Sequence, residues 1–314
     1  MKEIGGYIEF ETFHSDMLYD DGIKLNCGRN AFAYLIESRN IRKICFPIMM
    51  CDSNDKVLSS YDLRVRYYSV GKDLKMENIE LDDDEWLYVV NYYGQLSDGD
   101  ILSLKEKYDR VILDNAQAYF QRPAAGIDTL YTCRKFFGVS DGAVLYTDAR
   151  LDRELPVDES FGRINFLLGR FERTASEFYG EYAANNDLFF DEPVKRMSRF
   201  TENILHGIDY DFIEKRRTEN FRLYHEAFSS VNKLDLSIPR GAFMYPLYAG
   251  NSMNIREKLR DMKIYTPTLW PNVLERCSEQ DTEYDLARNI IPLPCDQRYS
   301  DKEIKYVIEA IKNV

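Results

Sequence analysis

Between residues 40 and 147 short apolar runs alternate with polar, turn-rich links. Ile44-Cys45-Phe46-Pro47, Trp86-Leu87-Tyr88-Val89-Val90, Val111-Ile112-Leu113 and Ala143-Val144-Leu145-Tyr146 have the length and the β-branched or aromatic content of buried strands. Leu63 to Tyr68 alternates in polarity, as a half-solvated strand does, and Tyr7-Ile8-Glu9-Phe10 is a shorter candidate. Phe32, Leu35 and Ile36 repeat at helical spacing behind Gly28, and residues 103–108 predict a helix that returns the chain to the Val111 run. Such alternation predicts an α/β fold with a mainly parallel central sheet flanked by helices.

The pattern changes after Thr147. Long stretches free of Gly and Pro predict helices over 166–173 and 177–186, then one long helix through 196–220. Turn residues at Ile238-Pro239-Arg240-Gly241 break it. Beyond them come a strand near 243–248, a helix near 255–262, the apolar run Ile290-Ile291-Pro292-Leu293-Pro294, and a last helix opened by the capping box Ser300-x-x-Glu303. The expected division is a large unit over 1–225, its helical part at about 152–225, and a smaller C-terminal α+β unit over 226–314.

Composition narrows the function. Among 314 residues, 41 Lys and Arg stand against 53 Asp and Glu, a net charge of −12, which argues against a nucleic acid or an anionic membrane as partner. There is no apolar run of membrane-spanning length and no signal-like start, so a cytoplasmic protein is expected. The six cysteines form no C-x-x-C pair and only three histidines accompany them, so no metal is expected and the thiols read as reduced.

Candidate chemistry sits at the Val111 run. Asp114 follows it directly, at the carboxyl end of a strand, where open α/β sheets bind ligands. A buried carboxylate there needs a cation. Lys135, beside Phe136 and Phe137, reads as a desolvated lysine whose neutral form is a nucleophile. Pyridoxal 5'-phosphate (PLP) satisfies both, its ring nitrogen pairing with Asp114 and its aldehyde bonding to Lys135. Gln117, three residues after Asp114, is placed to reach the ring hydroxyl. Taken singly, Asp114 also reads as a helix cap and Lys135 as a solvated loop lysine.

The segments LDNAQAY and CRKFFGVSDGAVLY resemble the aspartate–glutamine and Schiff base lysine motifs of the DegT/DnrJ/EryC1 aminotransferases. The resemblance implies the PLP-dependent transferase fold type I, with a smaller C-terminal α+β domain. It makes Lys135 catalytic, and Asp114, Gln117 and Thr132 cofactor-binding. It places the cofactor phosphate at Gly28-Arg29-Asn30, where family members carry a Gly-Thr-Ala type sequence; Arg29 would supply a cation in place of the missing hydroxyl. Met49 falls where the family often stacks an aromatic residue on the ring. Tyr92, Tyr93 and Arg298 become substrate-side candidates, Arg298 for a carboxylate. The implied activity transfers an amino group from glutamate or glutamine to a keto acceptor, commonly a nucleotide-linked keto-sugar, in a homodimer with shared sites. Lys135 speaks against the dehydrating relatives, which carry histidine there, and the absence of G-x-G-x-x-G after any early strand against a nucleotide-cofactor oxidoreductase. The alternative kept open is a non-catalytic PLP- or ligand-binding regulatory protein on the same fold.

Overall fold

The structure, a computed structural model, describes residues 4–314. In chain order the first unit runs β1 (Ile23–Leu25), α1 (Gly28–Ser38), β2 (Lys43–Pro47), α2 (Asp55–Ser60), β3 (Arg64–Tyr68), β4 (Trp86–Val90), α3 (Asp98–Lys107), β5 (Val111–Asp114), β6 (Asp128–Thr132) and β7 (Ala143–Tyr146). These strands form one seven-stranded sheet in the order β1-β7-β6-β5-β4-β2-β3. Neighbours from β3 to β6 are parallel, whereas β7 runs antiparallel to both β6 and β1. Val111, Ile112 and Leu113 of β5, with Leu87, Tyr88 and Val89 of β4, are buried almost completely, as strands covered on both faces must be.

The parallel arrangement decides where chemistry collects. With β2, β4, β5 and β6 all pointing one way, the residues after Pro47, Val90, Asp114 and Thr132 emerge along one edge of the sheet. Val90 pairs with Asp114, and Asp114 with Leu130, which sets the three central strand ends side by side.

A helical stretch follows, α4 (Asn165–Glu172), α5 (Tyr179–Leu188), α6 (Arg199–His206) and α7 (Tyr210–Phe228). The C-terminal part comprises β8 (Met244–Tyr248), α8 (Ser252–Asp261), α9 (Val273–Arg276), α10 (Thr282–Asn289), β9 (Ile290–Pro294) and α11 (Asp301–Lys312), with β8 and β9 as an antiparallel pair. The buried Asn220 of α7 donates to the carbonyls of Cys295 (3.1 Å) and Tyr299 (3.0 Å), so α7 joins the two parts. The box at the start of α11 forms as the sequence predicts, Ser300 N donating to Glu303 Oε2 at 2.9 Å.

Three expectations are corrected. Tyr7 to Phe10 is not a strand: Tyr7 and Ile8 are 97% and 90% exposed, with no apolar layer to cover them. The long helix over 196–220 is two helices, because α6 ends at Gly207 and Asp209 starts α7, its Oδ1 accepting from Phe212 N at 2.9 Å. Strands β1 and β6 were not foreseen; β1 is three residues long, and Asp128 to Thr132 lies in what reads as a turn-rich link.

Candidate active site

Asp114 is 7% exposed at the end of β5. Tyr88 of β4 donates its hydroxyl to Asp114 Oδ2 at 2.9 Å, and Ala116 N donates to Oδ1 at 2.8 Å. Burial raises the carboxyl above its ordinary range, opposed first by the Lys135 charge and then by these two donors. Lys135 is thus the cation that acts on Asp114, although the two are not an ion pair. The expectation of a desolvated lysine is not met: Lys135 is exposed, with Nζ 5.5 Å from the centre of the Phe243 ring. Phe136 and Phe137 turn into the core, and the lysine between them and Arg134 is left at the mouth of the sheet.

Gln117 is buried and its Oε1 accepts from Tyr93 N at 2.8 Å, so it shapes the loop after β4. Tyr93 has a left-handed backbone, φ +53°, which is uncommon for a bulky residue. Its ring is fully buried, edge-on to Trp270, and its hydroxyl is buried without a hydrogen-bond partner. Tyr92 donates to the Met49 carbonyl at 2.6 Å, and Met49 is itself completely buried. Tyr92, Tyr93, Met49 and Gln117 therefore form one packed wall beside Asp114.

The amino end of α1 closes the site on the other side. A Cβ on Gly28 would lie 2.5 Å from Thr132 Cγ2, so glycine is what lets the helix approach the end of β6. The amides of Gly28, Arg29 and Asn30 lie in the first turn, where no carbonyl within the helix can accept from them. The side chain of Asn30 is committed elsewhere, donating to Asn26 Oδ1 (3.0 Å) and the Pro193 carbonyl (2.8 Å). Arg29 lies over the Phe190 ring at 4.3 Å, and its buried Nη1 has no acceptor. A buried carboxylate at a strand end, an exposed lysine whose charge acts on it, and the arginine and amides at the start of α1 are a donor set that suits a pyridine ring bearing a phosphate.

Arg298 does not present a free fork. It binds Asp296 through Nε (2.6 Å) and Nη2 (2.8 Å), leaving a substrate carboxylate to compete with that pair. Two residues that matter were missed by the reading of the sequence. Arg217, 2% exposed on α7, donates to Gln297 Oε1 (2.8 Å), the Ala242 carbonyl (3.0 Å) and the Phe136 carbonyl (3.1 Å). Asp141, fully buried, accepts from Ser198 N (2.8 Å) and from the hydroxyls of Ser198 (2.7 Å), Ser160 (2.9 Å) and Thr201. One more charged residue in a helix already rich in charge gave no signal for the first; the Ser140-Asp141-Gly142 turn hid the second.

The fold is that of fold type I of the PLP-dependent transferases. Among solved structures, the sugar aminotransferase CalS13 from Micromonospora echinospora superposes with a TM-score of 0.63 at 18% identity, covering 93% of this chain and 86% of that one. A DegT DnrJ EryC1 StrS aminotransferase from Brucella abortus gives 0.59 at 14% identity, with 93% and 85% covered. Helicobacter pylori PseC, an aminotransferase involved in the biosynthesis of pseudoaminic acid, gives 0.62 at 11%, with 92% and 85% covered. The chain matches no protein-family model and no curated sequence.

Proposed function

We propose that the protein is a PLP-dependent aminotransferase of the DegT/DnrJ/EryC1 kind, moving an amino group from glutamate to a keto acceptor, a nucleotide-linked keto-sugar. The observation that carries this reading is the buried Asp114 at the end of β5 with Lys135 as the cation acting on it. When bound, the cofactor supplies an electron sink for the carbanion formed at the substrate Cα. Asp114, fixed by Tyr88 and Ala116 N, holds a proton on the ring nitrogen, the condition for that sink. Lys135 Nζ would hold the cofactor and would carry a proton to and from the substrate Cα. Gln117 and the first turn of α1 orient the ring hydroxyl and the phosphate, with Arg29 and Thr132 beside the latter. Tyr92 and Tyr93 border the acceptor.

The fold neighbours support a sugar acceptor, since two of them are named sugar aminotransferases. A second copy of the chain as partner is supported by the apolar side chains of Leu168, Phe171, Tyr179 and Tyr182 on α4 and α5, which the described residues leave largely exposed. No described helix is long and apolar enough to cross a membrane.

The test is the visible absorption spectrum of the purified protein with PLP, before and after excess L-glutamate. A lysine-bound band that bleaches with glutamate and is absent from Lys135→Ala is expected. A band indifferent to glutamate favours the regulatory binder, and a band retained in Lys135→Ala overturns the assignment.

A further inference from the structure

Residues 4–13 are an arm without helix or strand, and its large apolar side chains stand in solvent: Ile4 is 97% exposed, Tyr7 and Ile8 hardly less, and Phe10 more than half. The arm is nonetheless held at its base. Asn203 of α6 accepts from Phe13 N at 2.9 Å and donates to the Glu11 carbonyl at 2.8 Å, and the Phe10 ring lies edge-on to Phe200 at 4.9 Å. A second uncovered surface lies on α4 and α5. Leu168 and Phe171 are one turn apart on α4, and Tyr179 and Tyr182 one turn apart on α5. The Tyr182 ring packs edge-on to Phe166 of α4 at 5.7 Å, which makes the two helices one surface, and Phe171 at its outer side is 91% exposed. Arg173 there pairs with Glu177 at 2.5 Å, while Arg170, in the same turn as Leu168 and Phe171, has no acid in pairing range among the described residues. Glu9 and Glu11 of the arm are exposed and have no cation in pairing range among the same residues.

We infer that in a pair of chains the arm of each copy crosses to the other and lays Tyr7, Ile8 and the open edge of Phe10 over Leu168, Phe171 and Tyr179. The inference rests on the second copy proposed above as partner, and is independent of the chemistry at Lys135. Asn203 and Phe200 fix the base of the arm on α6, and the arm so held leaves α4 and α5 uncovered in its own chain, so the cover comes from another copy. The exchange is reciprocal: one two-fold axis uses both arms and both helical faces, and neither is left to recruit a third chain. Area supports it. At roughly 150 Å² for each large side chain covered, two such crossings bury within the roughly 1,200–2,000 Å² typical of stable pairs. Glu9 and Glu11 alternate with the apolar residues of the arm and meet Arg170 at the rim, where charge sets register more than affinity.

The experiment uses the full chain and two readouts. Ile8→Cys and Phe171→Cys are made in separate chains, co-expressed with different tags and mildly oxidised. A disulfide joining the two tags is expected, and it should be missing whenever either new cysteine is absent, which controls for the native thiols. Sedimentation equilibrium then measures self-association. Tyr7→Ser with Ile8→Ser should weaken it roughly tenfold or more while tryptophan fluorescence stays that of the folded chain. Arg170→Glu should weaken it as well, and Glu9→Lys with Glu11→Lys in the same chain should restore it. A wild type that remains monomeric overturns the exchange together with the second copy. A dimer that forms no bond between tags, or whose Kd changes by less than about twofold in the arm variant, overturns the exchange alone. The absorption band with PLP is read on the same samples, so failure of the exchange and failure of the aminotransferase reading are told apart.

Discussion

Arg217 on α7 donates through Nη2 to the carbonyl of Phe136 at 3.1 Å, and Gln297 donates to the same oxygen at 2.9 Å. Phe136 follows Lys135, so the placement of the lysine depends on a helix and a C-terminal loop far from it in sequence. Arg217 also stacks on the Phe136 ring at 4.6 Å. Arg217→Met would take the donor from the Ala242 carbonyl and from Gln297 Oε1 inside the core, and a loss of about 2–4 kcal/mol is expected. Arg217→Lys keeps a charge but not the planar fork, and should recover only part of the loss. Urea denaturation followed by tryptophan fluorescence reads the stability. In the proposed aminotransferase, the lysine-bound cofactor band read on the folded variant shows whether Lys135 has shifted.

Asp114 should make the cofactor-free protein less stable than it need be. Its folded carboxyl lies above the ordinary range, so between the ordinary and the raised values the native state binds more protons than the unfolded one. Stability must then fall as pH rises through that window. Asp114→Asn keeps the acceptor for Ala116 N and has nothing to ionise. The variant should therefore gain on wild type as pH rises from 4 to 7, and in the proposed aminotransferase it should lose the glutamate half-reaction. Melting curves across that range decide it, and a wild type that stabilises with pH relative to Asp114→Asn would contradict the assignment.

Gly28 and Thr132 are in steric register, and this can be tested by moving one methyl group. Gly28→Ala places a Cβ 2.5 Å from Thr132 Cγ2, a contact that neither strand nor helix can easily relieve. A cost of about 1–3 kcal/mol is expected. Thr132→Ser deletes the obstructing methyl and keeps the hydroxyl, so the double variant should recover most of it. A double-mutant cycle in urea measures the coupling, and strictly additive costs would mean that α1 and β6 do not press on each other there.

The strand framework was legible because the core strands are continuous apolar runs that only a doubly covered sheet requires. Asp114 was legible for a related reason, since a carboxylate that ends such a run stands out. Asp128 to Thr132 was not, because two polar threonines and an aspartate mask a strand whose burial comes from its neighbours. The openness of Lys135 was also hidden. Two phenylalanines next to it suggest a desolvated lysine, but they turn inward and carry the backbone, not the lysine side chain, into the core. Arg217, Gln297 and Asp141 were out of reach of local pattern, since their partners lie 19 to 161 residues away.

Asp141 is the pin behind the lysine loop. Its carboxylate collects three hydroxyls and one amide, joining the turn before β7 to the start of α6. Gly142 follows at φ +118°, where a Cβ would lie 3.1 Å from that of Cys133. Asp141→Ala would take from Thr201 and from Ser198 N their acceptor and leave Ser160 and Ser198 only each other, and a loss of about 3 kcal/mol is expected. Asp141→Asn keeps one acceptor oxygen and should lose less. Equal losses in the two variants, measured by denaturation, would show that packing and not acceptor capacity holds the turn.

Tyr93 carries an unusual combination, a left-handed backbone and a buried hydroxyl with no partner. Neither feature helps the protein fold. Left-handed φ at a bulky residue costs of order 1 kcal/mol or more, and an unpaired buried hydroxyl adds about 1–3 kcal/mol. Gln117 Oε1 holds the strained amide in place, which ties the conformation to the residue three positions after Asp114. Tyr93→Phe keeps the ring against Trp270 and removes the unpaired group, so it should raise the stability of the substrate-free protein by about 1 kcal/mol. In the proposed aminotransferase the same change should raise KM for the acceptor and leave the glutamate half-reaction unaltered, since the hydroxyl would lose a contact made only with the acceptor. A substitution that lowers stability would show that the hydroxyl already has a partner, and one that slows the glutamate step would place it on the donor side of the site.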